Sequence, residues 1–489
     1  MLGLTAPGDD IFARHFDVPE RSVSESEAEQ ALAALGLLNP SDDALNWAAK
    51  SGAEGNYTYN NLTVDSDEGD ITISSAKLFG AHMDGEVATF DRADFEGIKI
   101  YNEDEDVTVT VEALSVARPS PAMAKSIVAA LSQLGEIDDL DENFDKDGMS
   151  FGALALNNVD IRSPEANGEI KQLVWGKDEQ TNLADMKVEG FAFKMASKRK
   201  DEFGTLNLGS LIITELQTDA YLQLLDGKKA RTNPLANYGL WRKTFDTVKL
   251  IDLDMDSNAF SLKTKGYEAK ATQQGSVTKI VQTSEEVLIT VKEPNKASQL
   301  QAFALFLEYG FTDMNFRSSQ TSVLDEDKDT IKITDGLLTL KDGFELSYSY
   351  EAGGLMKAAE KLKNATNSPN SINTLKSMDS VIIDEVQFRL EDNTIVKRGF
   401  ELAGKMQGSS AGALRTQAKL GLRLAPMAAT GIEGKIFGEL AQAMSEFIDG
   451  DKTLSIVVSP KKSVSISELT NLKNSSLSFE DLGFLAKAE

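Results

Sequence analysis

From Tyr57 onward, apolar and polar residues alternate with a period of two over much of the chain. In "FELSYSYE", Phe344, Leu346, Tyr348 and Tyr350 share one side, and Glu345, Ser347, Ser349 and Glu351 the other. "DVTVTVEAL" aligns Val107, Val109 and Val111, and "KLIDLDMDS" sets Ile251, Leu253 and Met255 opposite Asp252, Asp254 and Asp256. "VIIDEVQFRL" gives Ile382, Val386, Phe388 and Leu390, and "TLSIVVS" gives Leu454, Ile456 and Val458. Strands with one apolar and one polar side belong to antiparallel sheets covered on one side.

A helical period interrupts this pattern. "SESEAEQALAALGLLNP" starts polar and acidic and ends near Gly36 and Pro40, as a capped helix does. "SDDALNWAAKSG" repeats the form, with Ser41 as N-cap and Gly52 near the C-cap. Residues 1–53 are therefore expected to be a helical segment. Farther on, a strand, a Pro or Gly break and an amphipathic helix recur in irregular spacing. "VTVTVEALSV" precedes "AMAKSIVAALSQLG", where Met123, Ile127, Leu131 and Leu134 form one helical side. "GSLIIT" precedes "DAYLQLLDG", "EVLITVKEP" precedes "SQLQAFALFLEYG", and "FELSYSYEAGG" precedes "LMKAAEKLKNA". "AKLGLRLAP", read as a strand, precedes "EGKIFGELAQAMSEF". The pattern predicts a mainly β, α+β fold: elongated, curved antiparallel sheets built from degenerate strand–helix repeats. Three β-rich regions are expected, over 54–240, 241–375 and 376–489.

Composition narrows the chemistry. A chain of 489 residues exceeds one ordinary core. Its net charge of −27 repels nucleic acid and anionic headgroups over long range. With no cysteine and only two histidines, Cys nucleophiles and Cys/His zinc sites are excluded. A Ser-His-acid triad would need His15, expected at a mobile end, or His82, expected in a turn. No P-loop, G-x-G-x-x-G or G-x-S-x-G motif occurs. No catalytic residue and no cofactor are expected. The densest basic run, "KMASKRKDE" with Lys194, Lys198, Arg199 and Lys200, reads as a solvated hairpin tip.

"LDENFDKDG" places Asp141, Asn143, Asp145 and Asp147 at calcium-loop spacing. Position 12 counted from Asn143 is Leu154 rather than the bidentate Glu, and position 1 is not Asp. "YNEDEDVTVTV", "LDEDKDTIKIT" and "IDGDKTLSIVV" also set acids just before strands. Their expected role is to solvate the ends of a sheet and oppose edge-to-edge association. The stripe Asp252, Asp254, Asp256 spaces its carboxylates roughly 6–7 Å apart, too far to chelate one ion alone. "QAFALFLEYGF" is apolar nearly all round, hence a buried helix or part of an apolar ligand surface.

The final "KTLSIVVSPKKSVSISELTNL", a strand, a Pro-Lys break and a short element, joins long stretches of one-sided strands followed by short helices. Over residues 55–480 this pattern resembles the AsmA-like and YdgA-like periplasmic proteins of Gram-negative bacteria. The resemblance implies an elongated β-rich envelope protein, periplasmic or secreted, with a hydrophobic groove that handles lipid. Where that group has an N-terminal membrane anchor, no run of about 18 apolar residues is present here; an anchor or leader that was removed and one that never existed both fit. The expected function is non-enzymatic binding or transfer of a hydrophobic ligand such as a lipid. Phe303, Phe306, Phe344, Leu346, Tyr348 and Tyr350 are the apolar candidates. The alternative is a structural or interaction protein of the envelope or cell surface without a small-molecule ligand. Whether the apolar sides close on each other or leave a groove separates the two.

Overall fold

In the computed structural model, the residues described are 10–19, 21–40, 45–66, 69–103, 105–132, 150–195, 203–217, 243–293, 301–358, 378–424, 426, 430–470, 472 and 477–489. The chain forms two compact units, one of residues 1–218 with 250–258, the other of 219–249 with 259–489.

The first unit begins with a four-residue helix α1 (Asp10–Ala13), a 3₁₀ turn Arg14–Phe16 and helix α2 (Glu25–Ala34). Ser24 caps α2 by accepting from the Glu27 N–H at 3.3 Å. A meander of long strands follows: β1 (Asn46–Ala53), β2 (Asn56–Ser66), β3 (Gly69–Phe79), a small hairpin β4 (His82–Asp84) and β5 (Val87–Thr89), then β6 (Arg92–Asn102) and β7 (Val107–Pro119). After helix α3 (Pro121–Ser132) come β8 (Phe151–Arg162), β9 (Ala166–Lys177), β10 (Leu183–Met195) and β11 (Phe203–Gln217). Leaving β4–β5 aside, each strand from β1 to β11 pairs antiparallel with the next.

This corrects the helical reading of residues 1–53 at its end. "NWAAKSGA" is strand β1, not a second helix. Glu54 and Gly55 both have positive φ and turn β1 into β2, as a two-residue hairpin loop requires. Gly52, at φ +118, is no cap; a Cβ there would lie 2.1 Å from the Asn56 carbonyl oxygen.

The strands of this unit do not keep one phase of alternation. On β2, Tyr57 and Tyr59 and then Leu62 and Val64 all enter the same core cluster. On β3, Ile71 and Ile73 and then Ala76 and Leu78 do so, and on β6, Phe95 and then Ile98. The phase shifts at a polar or small doublet: "YTYNNLTV", "ITISSAKL", "DFEGIKI", "VTVEALSV", "LALNNVDI", "IKQLVW", "MKVEGFAF" and "LNLGSLII". Asn61, Gly97, Asn158 and Gly190, on β2, β6, β8 and β10, take φ between +46° and +64°. Asn and Gly tolerate this region best. Pairing keeps its register on both sides of the seam, for example Leu62↔Ile73 with Asn60↔Ser75 and Ile98↔Val111 with Glu96↔Ala113. At the seam itself, Asn158 donates to Glu112, and the position a Gly97 Cβ would take lies 2.4 Å from Ser74 Oγ.

In the second unit, β13 (Phe260–Gln274), β14 (Val277–Val291), β15 (Asp313–Asp325), β16 (Thr330–Leu340), β17 (Phe344–Gly353), β18 (Ile382–Asp392), β19 (Thr453–Val458) and β21 (Phe484–Ala488) pair antiparallel in that order. The two-residue β20 (Val464–Ser465) also pairs with β18. Strand β12 (Thr247–Ser257) lies mostly in the first unit. Helix α4 (Gln301–Glu308) follows β14, as expected. "AKLGLRL" is not a strand but the end of a helix. Between β18 and β19 lie α5 (Ile395–Gln407), α6 (Ala411–Leu424) and α7 (Gly431–Phe447). Leu414, Ala418 and Leu422, spaced by four, form the less exposed side of α6, a helical period hidden within an apparent alternation. Two short helices, α8 (Ile466–Thr470) and α9 (Phe479–Leu482), lie between β20 and β21.

Candidate hydrophobic binding face

The strand pairing of the first unit lines apolar side chains up in continuous rows. One runs Tyr59, Ala76, Phe95, Leu114, Leu156, Leu173, Val188, Leu211, each paired with the next. A second, across the seam, runs Leu62, Ile73, Ile98, Val111, Val159, Ile170. On β10 and β11 the paired Phe191 and Leu208 lie on the same side of the seam as that row. An outer row runs Leu78, Ala93, Val116, Leu154, Trp175, Met186, Ile213.

Cover over these rows is uneven. Near β2–β7, Ala28, Ala31 and Leu32 of α2, Phe90 beside the small hairpin, and Ala124 and Val128 of α3 seal them. Tyr59 and Leu62 are buried there, and the Tyr59 hydroxyl donates to the Leu37 carbonyl at 2.8 Å. Farther along, Leu156, Leu173, Trp175, Met186, Val188, Phe191, Leu208 and Leu211 are only half-buried.

The opposite side of the same strands is closed by the N-terminal segment. Phe12 and Phe16 pack on Ala117, Ala153, Ala155 and Val174. His15 is buried, not at a mobile end: its Nε2 donates to Asp185 Oδ2 at 2.7 Å, and Arg14 reaches the same oxygen at 2.9 Å. The Glu215 N–H donates to Asp185 Oδ1 at 2.9 Å. Burial opposes ionisation of Asp185, yet these hydrogen bonds outweigh it and hold its carboxyl below the usual carboxylate range. Arg118 clasps the segment from its other edge, donating to the His15 carbonyl at 2.7 Å and the Asp17 carbonyl at 3.2 Å. His82 is also buried, in strand β4, with Nδ1 donating to the Gly80 carbonyl at 2.7 Å. Both histidines are thus engaged in holding structure.

The six apolar candidates in the second unit have different surroundings. Phe303 and Phe306 of α4 and Phe344 of β17 meet in a core around Ile289, Met314 and Leu340. Phe306 stands edge-on to Phe316 with ring centres 5.7 Å apart. Tyr350 belongs to another cluster, beneath Leu355 and Val381. Tyr348 donates to Gln320 Oε1 at 2.9 Å, and Gln320 in turn donates to Gln282 at 3.1 Å, a polar file that crosses β14 to β17 and passes over Gly336 of β16. Leu346 pairs with Leu390.

The calcium candidates Asp141, Asn143, Asp145 and Asp147 lie outside the described residues, as do Lys198, Arg199, Lys200 and the segment "DAYLQLLDG". The counterpart turn "LDEDKD" is described. Asp325 pairs with Lys328 Nζ at 2.7 Å, which holds its pKa low. Asp329 accepts from the N–H groups of Met356 at 2.8 Å and Lys357 at 3.4 Å, capping the helical residues 355–358. Asp392, just before α5, accepts from Val396 N–H and Asp451 N–H, each at 3.0 Å. Carboxylates before a turn or helix here serve backbone N–H groups. Among the described residues, no group of three or more His, Asp or Glu side chains is placed to hold a metal ion.

Two open clefts lie in the helical layer of the second unit. One, of about 390 Å³, is lined by Leu422, Arg423, Gly438 and Gln442; the other, of about 480 Å³, by Ile432, Lys435, Leu477 and Phe479. Among the described residues, no helix is long and apolar enough to cross a membrane. A family model described as "Uncharacterized protein" matches residues 337–489, the stretch from the end of β16 through β21. No curated protein matches the chain.

Proposed function

We propose that this chain is a non-enzymatic cell-envelope protein that binds or transfers a hydrophobic ligand, a lipid or fatty acid, on the apolar rows of β8–β11. One observation carries the reading: two of the rows that α2 and α3 seal at β2–β7 continue by pairing onto β8–β11, where most of their side chains are only partly buried. Sites for apolar ligands are mostly apolar with few polar groups, which Leu173, Trp175, Met186, Val188 and Leu211 satisfy. The antiparallel, strand-rich build agrees with the resemblance to AsmA-like and YdgA-like proteins. Placement in the periplasm rests on that resemblance and on the absence of cysteine.

Native mass spectrometry and organic extraction of the purified full chain test the reading. The expected result is a co-purifying apolar molecule whose occupancy falls sharply in Val188→Lys and Leu211→Lys, with circular dichroism unchanged. A ligand-free mass for the wild-type chain, which also fails to take up an added fatty acid, would refute it.

A further inference from the structure

The chain's charge is not evenly spread. Helices α5 and α6, "IVKRGFELAGKMQ" and "AGALRTQAKLGLRL", hold six basic residues and one acid, a surplus of five positive charges in a chain of net −27. Helix α6 has three basic residues and no acid.

The same pair exposes apolar side chains. Helix α6 rests on α5 and α7, and Leu414 is its one buried residue. Leu420 and Leu424, one turn apart on the same side, are 59% and 54% exposed. Met406, near the end of α5, is 76% exposed, and Phe437 on α7 is 50% exposed. Some of the cations hold the layer together: Arg398 donates to the Gly310 carbonyl at 2.9 Å and stacks on Phe311, and Lys419 pairs with Asp449. Lys397, Lys405 and Arg423 are exposed.

We propose that α5–α6 docks the protein on the surface of a bilayer bearing anionic headgroups. An amphipathic helix with leucines on one side, basic residues beside them and low overall hydrophobicity lies in the interface rather than across it. Helix α6, with leucines, three basic residues and no acid, fits that class. The acidic remainder is repelled by anionic lipid while this one surface is attracted, so charge fixes which side approaches. Leu420, Leu424 and Met406 then enter the headgroup boundary, and Lys405 and Arg423 meet the phosphates. The element is distinct from the apolar rows of the first unit and does not depend on them.

The test is vesicle co-sedimentation of the full chain, with phosphatidylcholine alone and with about 30% phosphatidylglycerol added. Binding is expected only to the anionic vesicles, and to vanish at about 1 M salt, where the screening length is about 3 Å. Leu420→Glu with Leu424→Glu, and separately Lys405→Glu with Arg423→Glu, are each expected to lower binding by on the order of tenfold or more. These side chains are exposed, so circular dichroism and thermal melting stay at wild-type values. The variant Val188→Lys, on the other apolar surface, is expected to sediment like the wild type. No binding to anionic vesicles, or binding that both double variants retain, overturns the proposal. So does salt-sensitive self-association, seen by analytical ultracentrifugation, that the leucine variants abolish while the wild type ignores vesicles; that result assigns the surface to a second copy of the chain.

Discussion

Replacing Asp185 with alanine is expected to release the N-terminal segment from the first unit. The side chain is 3% exposed and accepts from His15, itself 4% exposed, from Arg14 and from the Glu215 N–H. Removing the acceptor leaves the buried His15 Nε2–H and the Glu215 N–H unsatisfied, at about 1–3 kcal/mol each. Arg14 is 56% exposed and adds at most about 1 kcal/mol to that figure. Asp185→Asn still offers an oxygen to the Glu215 N–H but no charge to His15 or Arg14, so about 1–3 kcal/mol is expected. The chain has two units, so hydrogen exchange is a better assay than one global melt. The Glu215 amide and residues 12–18 should exchange faster in Asp185→Ala while β2–β3 amides do not. The folded Asp185 pKa lies below its unfolded value, so its contribution is complete above about 3.9, the ordinary Asp value. It is lost as pH falls through the lower folded value. Gly176→Ala offers an independent handle, since its Cβ would meet the His15 ring 2.2 Å away. Wild-type exchange at Glu215 in Asp185→Ala, or a cost below about 1 kcal/mol, would show that the buried cluster does not anchor the segment.

Two further outcomes are expected. Asp329→Ala removes the acceptor for Met356 N–H and should cost about 1 kcal/mol, read by urea unfolding, with faster exchange at Met356 and Lys357. At the seam, Gly190→Val forces a β-branched residue to φ +60 against the Lys171 side chain, and about 2 kcal/mol or more of destabilisation is expected, whereas Asn158→Gly should change stability by a few tenths; equal effects would show that the seam does not depend on left-handed backbone.

Strand-rich, antiparallel architecture was legible because one-sided alternation depends only on local sequence and a covered sheet. "FELSYSYE" and "VTVTVEAL" indeed form strands. "NWAAKSGA" misled because Ala, Lys and Ser suit a helix, while the Glu54-Gly55 turn and pairing with β2 decide otherwise. "AKLGLRL" misled in the opposite sense: alternate Leu residues are also compatible with a helix when only Leu414, Ala418 and Leu422 face its neighbours. Phe303 and Phe306 could be recognised as apolar, but whether α4 fills its sheet or leaves it open depends on the strand residues it meets, such as Ile289 and Met314, not on the helix itself. The apolar rows of β8–β11 are not legible in any single strand, because strand order creates them.

The doublets explain how one sequence rule yields a face this long. A strand of eleven or more residues with strict alternation twists, and its apolar side turns with it. In the first unit the phase shift lets "YTY" and "LTV", or "LAL" and "VDI", keep facing the same neighbours on both sides of the seam. The shift demands residues that tolerate positive φ on β2, β6, β8 and β10, and Asn61, Gly97, Asn158 and Gly190 meet that demand. Because each doublet sits opposite the next strand's doublet, a shift in one strand alone would turn its apolar residues away from its partners. The seam is therefore a property of the whole set of strands. It persists onto β10 and β11, where Glu189 pairs with Ser210 at the doublets and the apolar residues on either side are partly buried.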